Sequence, residues 1–383
     1  MTAPGVPSAP RARAPFQVVI AGGGTGGHTG PGLAVAAVLR ARNLPCVWIG
    51  SRGGLEARKA PESGIPYFPI PTGKLRRAWA WQNIPDVTVN FPAGIARAAM
   101  LLSRFRPCVV LATGGYVALP VVIAATLLRV PIVAHEQTSV PGLANRVAGR
   151  LARRVAVTFR DSARWFPAAK VVVTGNPLRP ELRGGARSAA VTRFALDPAL
   201  PLVYVTGGSL GAHRINRTVG KALPAILEHT QVIHQCGENA TTGDRAWLET
   251  QRAGLPPDLA RRYTVVPFVG DELAAIYATA SLVVTRAGAG TVNECCQLGL
   301  PALYIPMPGA SGDEQTANAR LVERVGGCAI MAQASLTPAL LLERILGLLA
   351  EPARLKEMGE RARALAIPDA ADRLVDLLLE VAA

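Results

Sequence analysis

Three glycine-rich segments carry the residues whose types and spacing could do chemistry. Gly22-Gly23-Gly24-Thr25-Gly26-Gly27-His28 follows an apolar strand and opens a helix. Such a loop turns backbone N–H groups and the positive end of a helix toward one point, which suits a phosphate. Gly22, Gly24 and Gly27 also satisfy the G-x-G-x-x-G dinucleotide pattern. The acidic residue that such a site needs at the end of the second strand is missing, because Ser51-Arg52 stands there, and only an NADP site would accept that arginine. A Walker A loop is excluded, since His28 takes the place of the lysine.

Gly207-Gly208-Ser209-Leu210-Gly211 repeats this context and formally matches a G-x-S-x-G nucleophile elbow. A hydrolase would then need an acid followed by a histidine. No histidine follows His234, and the one carboxylate between Ser209 and His229, Glu228, lies directly beside the latter. A second phosphate loop fits better, with the Ser209 hydroxyl and backbone N–H groups as donors. The third segment runs from Arg286 through Gly288 and Gly290 to Glu294 and sets a lone carboxylate four residues past a glycine turn. A carboxylate accepts two hydrogen bonds side by side, which suits the vicinal hydroxyls of a ribose. Glu294 could equally be a helix-start carboxylate favoured by the dipole.

Positioning these loops requires a repeated strand–loop–helix unit. Apolar strands are predicted at 18–21, 46–49, 108–112, 132–134, 202–206, 282–285 and 302–305. Helices are predicted at 32–40, from the glycines at 114 and 115 to 128, from about 216, and through 297. Continuous apolar strands alternating with helices imply an α/β fold with parallel sheets covered on both faces. The pattern restarts after Pro201, so two Rossmann-like domains should face each other across a cleft. The expected boundaries are a loose tail at 1–15, an N-terminal domain at 16–178, a C-terminal domain at 179–365, and a helix at 366–383 that returns to the first domain.

Composition agrees with this reading. A chain of 383 residues, half of them apolar and 17% charged, is neither disordered nor a coiled coil, and 5% aromatics argue against a β-sandwich. There are 21 basic and 5 acidic residues before position 179 and 20 and 21 from that position onward, so the whole net charge of +15 sits in the first half. That half should attract an anionic surface or a phosphorylated substrate. A nucleic-acid-binding module would use the same charge but leaves the second half and its glycine loops without a role. The six cysteines show no CxxC, and no DxD pair or histidine cluster offers a metal site, so no metal and no cofactor is expected. The uncharged run at 109–128 is interrupted by glycines and Pro120 and is not read as a membrane span. The segment at 74–81 mixes three cations with Leu75, Trp79 and Trp81 and suits a bilayer interface.

Seven motifs in one order make a resemblance specific: GGGTGGH, ATGGY at 112–116, HEQ at 135–137, GNPLR at 175–179, GGSLGA at 207–212, AGAGTVNE at 287–294 and DEQTANA at 313–319. From about Phe16 to the C-terminus, over ninety percent of its length, the chain resembles the family 28 glycosyltransferases of peptidoglycan synthesis. The resemblance implies a GT-B fold and inverting transfer of N-acetylglucosamine (GlcNAc) from UDP-GlcNAc to the C4 hydroxyl of N-acetylmuramic acid (MurNAc) in lipid I, giving lipid II. It implies a donor site of Ser209, Val269, Ala289, Gly290, Thr291, Val292, Asn293, Glu294, Gln315 and Arg179, with the backbone at Phe268-Val269 reading uracil. Thr25, Gly26, Gly27, Gly114 and Gly115 would take the lipid pyrophosphate. His28 and Glu136 are the candidate bases, Glu136 having a purely structural role beside an arginine as its other reading. The family usually has Asn where Thr138 stands, which changes the sugar or acceptor contact expected there. The resemblance further implies a peripheral protein on the cytoplasmic side of the cell membrane, docked on the anionic inner leaflet, with other cell-wall synthesis and division proteins as partners and no nucleic acid. Another GT-B enzyme moving a UDP-sugar to a different lipid is the alternative.

Overall fold

The computed structural model describes residues 17–73, 86–237, 239–309 and 311–383. The tail at 1–15 and the tryptophan-containing segment at 74–81 lie outside them. The first half runs β1 (Val18–Gly22), α1 (Gly26–Ala41), β2 (Cys46–Ser51), α2 (Leu55–Glu62), β3 (Tyr67–Ile70), α3 (Phe91–Phe105), β4 (Val109–Gly114), α4 (Ala118–Leu127), β5 (Ile132–Glu136), α5 (Leu143–Leu151), β6 (Arg154–Val157) and β7 (Val171–Val173). The second half runs α6 (Arg187–Phe194), β8 (Leu202–Thr206), α7 (His213–His229), β9 (Gln231–Gln235), α8 (Asp244–Ala253), α9 (Pro257–Arg261), β10 (Tyr263–Val266), α10 (Leu273–Thr279), β11 (Ala280–Thr285), α11 (Ala289–Leu298), β12 (Ala302–Tyr304), α12 (Glu314–Glu323), β13 (Ala329–Ile330), α13 (Pro338–Leu349), α14 (Pro352–Arg363) and α15 (Ala370–Ala382).

The strands form two parallel sheets, ordered β3-β2-β1-β4-β5-β6-β7 and β10-β9-β8-β11-β12-β13. In each sheet the order reverses once, between β1 and β4 and between β8 and β11. Crevices open at such points beyond the carboxyl ends of the strands. All the glycine loops singled out in the sequence fall there: 22–27 after β1, 114–115 after β4, 207–211 after β8 and 286–290 after β11.

Strand residues alternate between two apolar layers. Val19, Ala21, Val110 and Ala112 pack on Leu101 and Leu102 of α3 and Val121 and Val122 of α4. Val18, Ile20, Val109 and Leu111 pack on Val35 and Leu39 of α1. That second layer also takes Leu374, Val375, Leu378 and Val381 of α15, so the last helix covers the first sheet. The second sheet buries Tyr204, Val283 and Tyr304 against α10 and α11 on one face and Val203, Val205 and Val284 against α7 and α13 on the other.

Helix α1 begins at Gly26, six residues before the predicted start, and carries Pro31 inside it. Glycine and proline are poor helix formers, so local propensity hides this first turn. Close packing explains it: a Cβ on Gly32 would lie 2.4 Å from the Trp48 ring, so the glycines let the helix lie flat on β1 and β2. Helix α7 likewise starts at His213 rather than 216.

Candidate active site

On the N-terminal side, Thr25 is the residue before α1, with φ −140° and ψ 161°, and its side chain makes no capping bond. Its carbonyl instead accepts from the amides of His28 (3.2 Å) and Thr29 (3.0 Å). The amides of Gly26 and Gly27 stand in the first turn, where a helix has no internal acceptor for them. The preceding loop is braced from within. Glu56, fully buried, accepts from Gly24 N at 2.8 Å, Ser51 N at 3.1 Å and Ser51 Oγ at 2.6 Å. One loop amide is therefore already spent on a protein carboxylate, which weighs against a dinucleotide wrapped on this loop.

Gly114 (φ +102°) and Gly115 (φ +78°) adopt left-handed backbone, and a side chain on either would collide with the site. A Cβ on Gly114 would lie 2.8 Å from His28 Nδ1, and one on Gly115 would lie 2.5 Å from Gly23 O. The two loops thus close around His28. The His28 Nδ1 lies 3.1 Å from Thr113 O and 3.2 Å from Gln137 Oε1. Among the described residues none bonds to its Nε2, and the ring is half-buried.

Glu136 ends β5 and Thr138 follows it, and both side chains are buried and bonded within the protein. Glu136 is 2% exposed; Oε1 takes Thr138 N at 2.7 Å and lies 2.6 Å from the Thr138 hydroxyl, and Oε2 takes Asn145 Nδ2 at 2.7 Å. Its partners are an amide, a hydroxyl and a carboxamide rather than the expected arginine. Thr138 is buried, its hydroxyl between that carboxylate and Val140 O, so its side chain faces the protein rather than a ligand.

On the C-terminal side, Gly208 (φ +80°) and Gly211 (φ +74°) shape the loop that exposes Ser209 ahead of α7. A Cβ on Gly211 would lie 1.9 Å from Cys236 O, so the loop seats directly on the end of β9. Gln235 ties this loop to the next: its Nε2 donates to Gly208 O at 3.0 Å and its Oε1 accepts from Val269 N at 3.1 Å. The Val269 amide, expected to face a base, is consumed by this bond. Phe268 remains 37% exposed beside it.

Glu294 lies at the middle of α11 and is half-buried. Its Oε2 accepts from the Tyr277 hydroxyl at 2.8 Å, and Arg179 Nη2 lies 3.5 Å from Oε1. Burial pushes this carboxyl above its usual range, against the opposing pull of Arg179 and Tyr277. Ala289, Gly290 and Thr291 are partly exposed along the helix start, whereas Val292 is buried in the core and offers only backbone. Gln315 is half-buried and its Oε1 accepts from Met307 N at 2.9 Å. Arg286 donates to Ile305 O and Pro306 O and, at 2.6 Å, to Gln333 Oε1.

The two halves meet at these loops. A Cβ on Gly290 would lie 3.8 Å from Gly27 Cα, so the N-termini of α1 and α11 nearly touch. Asn318, buried, accepts from Ser139 N at 3.0 Å and Ser139 Oγ at 2.9 Å. Asn293 Nδ2 lies 3.4 Å from Gln137 O, and Gln297 Nε2 donates to Asn176 O at 3.1 Å and Ile367 O at 2.9 Å. Glu56, Gln137, Asn318, Gln235 and Tyr277 are site residues that sequence reasoning did not select. Only Gln137 and Asn318 lie within motifs quoted above. Two positive helix ends facing one gap, with a histidine in the first turn of one helix and a carboxylate at the middle of the other, have the chemistry to receive a phosphorylated ligand beside a proton acceptor. Among the described residues no group of three His, Cys, Asp or Glu could hold a metal ion.

Comparison with known proteins agrees with this architecture. Residues 18–157 match the glycosyltransferase family 28 N-terminal domain and residues 202–374 the glycosyltransferase family 28 C-terminal domain. The chain is 42% identical over 366 residues, 95% of it and 98% of the relative, to the UDP-N-acetylglucosamine--N-acetylmuramyl-(pentapeptide) pyrophosphoryl-undecaprenol N-acetylglucosamine transferase of Halorhodospira halophila (strain DSM 244 / SL1). It is 39% identical over 374 residues, 96% and 98% of the two chains, to the transferase of the same name from Nocardioides sp. (strain ATCC BAA-499 / JS614). A crystal structure of Acinetobacter baumannii MurG superposes with a TM-score of 0.71 at 31% identity, covering 96% of this chain and all of that one. With both domains matched in order and two Rossmann-like sheets facing each other, the chain belongs to glycosyltransferase family 28 and has the GT-B fold.

Proposed function

We propose that the protein transfers GlcNAc from UDP-GlcNAc to the C4 hydroxyl of MurNAc in undecaprenyl-pyrophosphoryl-MurNAc-pentapeptide, making lipid II for peptidoglycan. The observation that carries this reading is the meeting of the start of α1, which bears His28, with the start of α11, the helix that carries Glu294 at its middle, across a gap bounded by Gly27 and Gly290. His28 Nε2 would take the proton of the C4 hydroxyl as its oxygen attacks C1 of GlcNAc, and UDP would leave from the opposite face, inverting the anomeric centre. Negative charge gathering on the departing diphosphate would meet the loop at 207–211, Ser209 and the N-terminus of α7. Glu294 would hold the ribose hydroxyls, with Arg179 and Tyr277 orienting its carboxylate. Ala289 to Asn293 would line the nucleotide, and Gln315 the sugar. The acceptor pyrophosphate would rest on Thr25, Gly26, Gly27 and the glycines at 114–115. Glu136 and Thr138 hold the β5 loop together and do not act on substrate.

A lipid-linked acceptor stays in the bilayer, so the N-terminal half docks on the anionic cytoplasmic leaflet. No described helix is long and apolar enough to cross a membrane. Supporting the docking are two exposed leucines of the N-terminal half beside cations in the chain, Leu127 (71%) two residues before Arg129 and Leu143 (73%) one helical turn before Arg146. Apolar side chains with cations about them suit a headgroup layer. Other cell-wall synthesis and division proteins would meet the enzyme there.

The test is transfer of labelled GlcNAc from UDP-GlcNAc to a lipid I analogue in detergent or liposomes, with Glu294→Ala alongside. Wild-type transfer and a large loss in the variant are expected. Donor binding without transfer would move the assignment to another lipid acceptor, and no binding of UDP-GlcNAc would end it.

A further inference from the structure

We infer that Gln137 is the positioning residue that holds His28 as its Nδ1–H tautomer, leaving the Nε2 lone pair open to the cleft. Two peptide carbonyls decide where every hydrogen goes. Thr113 O can only accept, and it lies 2.6 Å from Gln137 Nε2 and 3.1 Å from His28 Nδ1. The Gln137 NH2 therefore faces that carbonyl, which leaves Oε1 toward His28 at 3.2 Å. Facing two acceptors, Nδ1 of His28 must carry the hydrogen. Behind Gln137, its Nε2 is also 3.0 Å from His135 Nδ1, and His135 Nε2 is 3.1 Å from Gly175 O. The Gly175 carbonyl takes the His135 Nε2 hydrogen, so His135 Nδ1 is free to accept from Gln137.

From Gly175 to His28 one hydrogen arrangement satisfies every group. Flipping the Gln137 amide would set oxygen against oxygen at Thr113 and nitrogen against nitrogen at His28. Gln137 and His135 are each 1% exposed, so water cannot substitute for either partner. Burial also lowers the His135 pKa to about 4, which keeps that ring neutral and able to accept. The chain of bonds starts at the crossing between the two halves: a Cβ on Gly175 (φ +80°) would lie 2.6 Å from Ile367 Cβ. Gln137 also offers its own carbonyl to Asn293 of α11 at 3.4 Å. The residue that orients the ring thus touches both halves. The catalytic consequence rests on the reading of His28 as the base; the tautomer itself does not.

The experiment is nitrogen-15 NMR of histidine-labelled protein, whose five histidines are assigned by single substitutions, together with steady-state transfer kinetics. Wild-type His28 should show a protonated Nδ1 and an unprotonated Nε2. In Gln137→Met, with Thr113 O left as the single acceptor at Nδ1, both ring nitrogens should shift part of the way toward the averaged values of an exchanging ring. Its kcat should fall by roughly 10- to 100-fold, part of what a positioned general base supplies, with the KM for UDP-GlcNAc within about twofold of wild type. A wild-type ring protonated at Nε2 would overturn the inference. So would a Gln137→Met protein with unchanged ring shifts, whatever its activity. Full kcat in His28→Ala would remove the base reading while the NMR result still decides the tautomer.

Discussion

Glu56 offers a prediction whose size can be worked out from its contacts. It is the first acidic residue of a strongly basic half, yet it is fully buried and spends its carboxylate on Gly24 N, Ser51 N and Ser51 Oγ. In Glu56→Gln one oxygen becomes an NH2 group. If Oε1 keeps Ser51, the NH2 faces the Gly24 amide, donor against donor. One buried donor left without an acceptor costs about 1–3 kcal/mol. Glu56→Ala strands both the Gly24 and Ser51 amides and empties the space beside Gly23 and Gly54, so about 3–5 kcal/mol is expected. For a domain of this size each kcal/mol lowers Tm by about 2–4 °C. Calorimetry should therefore show the transition of the N-terminal half falling by about 2–12 °C in Glu56→Gln and further in Glu56→Ala. In transfer assays the acceptor KM should rise while UDP-GlcNAc binding stays unchanged, because the braced loop belongs to the acceptor side. A Glu56→Gln protein that melts with wild type would refute the reasoning, since Gly24 would then not depend on that carboxylate.

The remaining predictions concern the seam, the core and acid. Gly290→Val should place branched methyls against Gly27, whose Cα is already 3.8 Å from a Cβ there, and block approach of the two helix ends. Transfer should drop on the order of 10²-fold with thermal stability nearly unchanged, measured by kinetics beside a melting curve. Leu378→Ala should cost about 2–5 kcal/mol, since this α15 side chain is fully buried on the first sheet; a Tm within experimental error of wild type would contradict that packing. Burial lowers the pKa of His135 to about 4 and that of His234 to about 3, so both are neutral when folded and take up protons on unfolding below pH 6.5. Their stabilisation is complete above pH 6.5. As pH falls below that value, each removes about 1.4 kcal/mol per unit until its folded pKa is reached, which urea titrations at stepped pH would measure.

The parallel sheets were legible because their strands, buried on both faces, read as unbroken apolar runs: Val18 to Ala21, Val109 to Ala112 and Leu202 to Thr206 each stand out against the glycine loop that follows. The loops were legible because only glycine serves where two backbones close on one histidine, as at 114 and 115. What the sequence hid depends on tertiary direction. The first turn of α1 is spelled in glycine and proline and forms because Trp48 and β1 accept a helix lying flat on them. Glu136 and Thr138 look like functional groups in a motif, but Asn145 on the following helix draws the carboxylate inward. The Val269 amide is taken by Gln235, which comes 34 residues earlier and is reached only once β9 and the loop after β10 stand side by side. Tyr277 carries no motif; it meets Glu294 because α10 and α11 pack on the same face of the second sheet.

The central claim is that one cleft divides its work, with the proton acceptor on α1 and the donor clamp on α11. It is tested most directly by transfer kinetics of His28→Ala and Glu294→Ala on the same lipid I analogue, with UDP-GlcNAc affinity measured independently by calorimetry. His28→Ala should lose roughly 10²- to 10⁴-fold in kcat with donor affinity intact, and Glu294→Ala should lose donor affinity first. Equal loss of donor affinity in both variants, or full turnover in His28→Ala, would contradict the account.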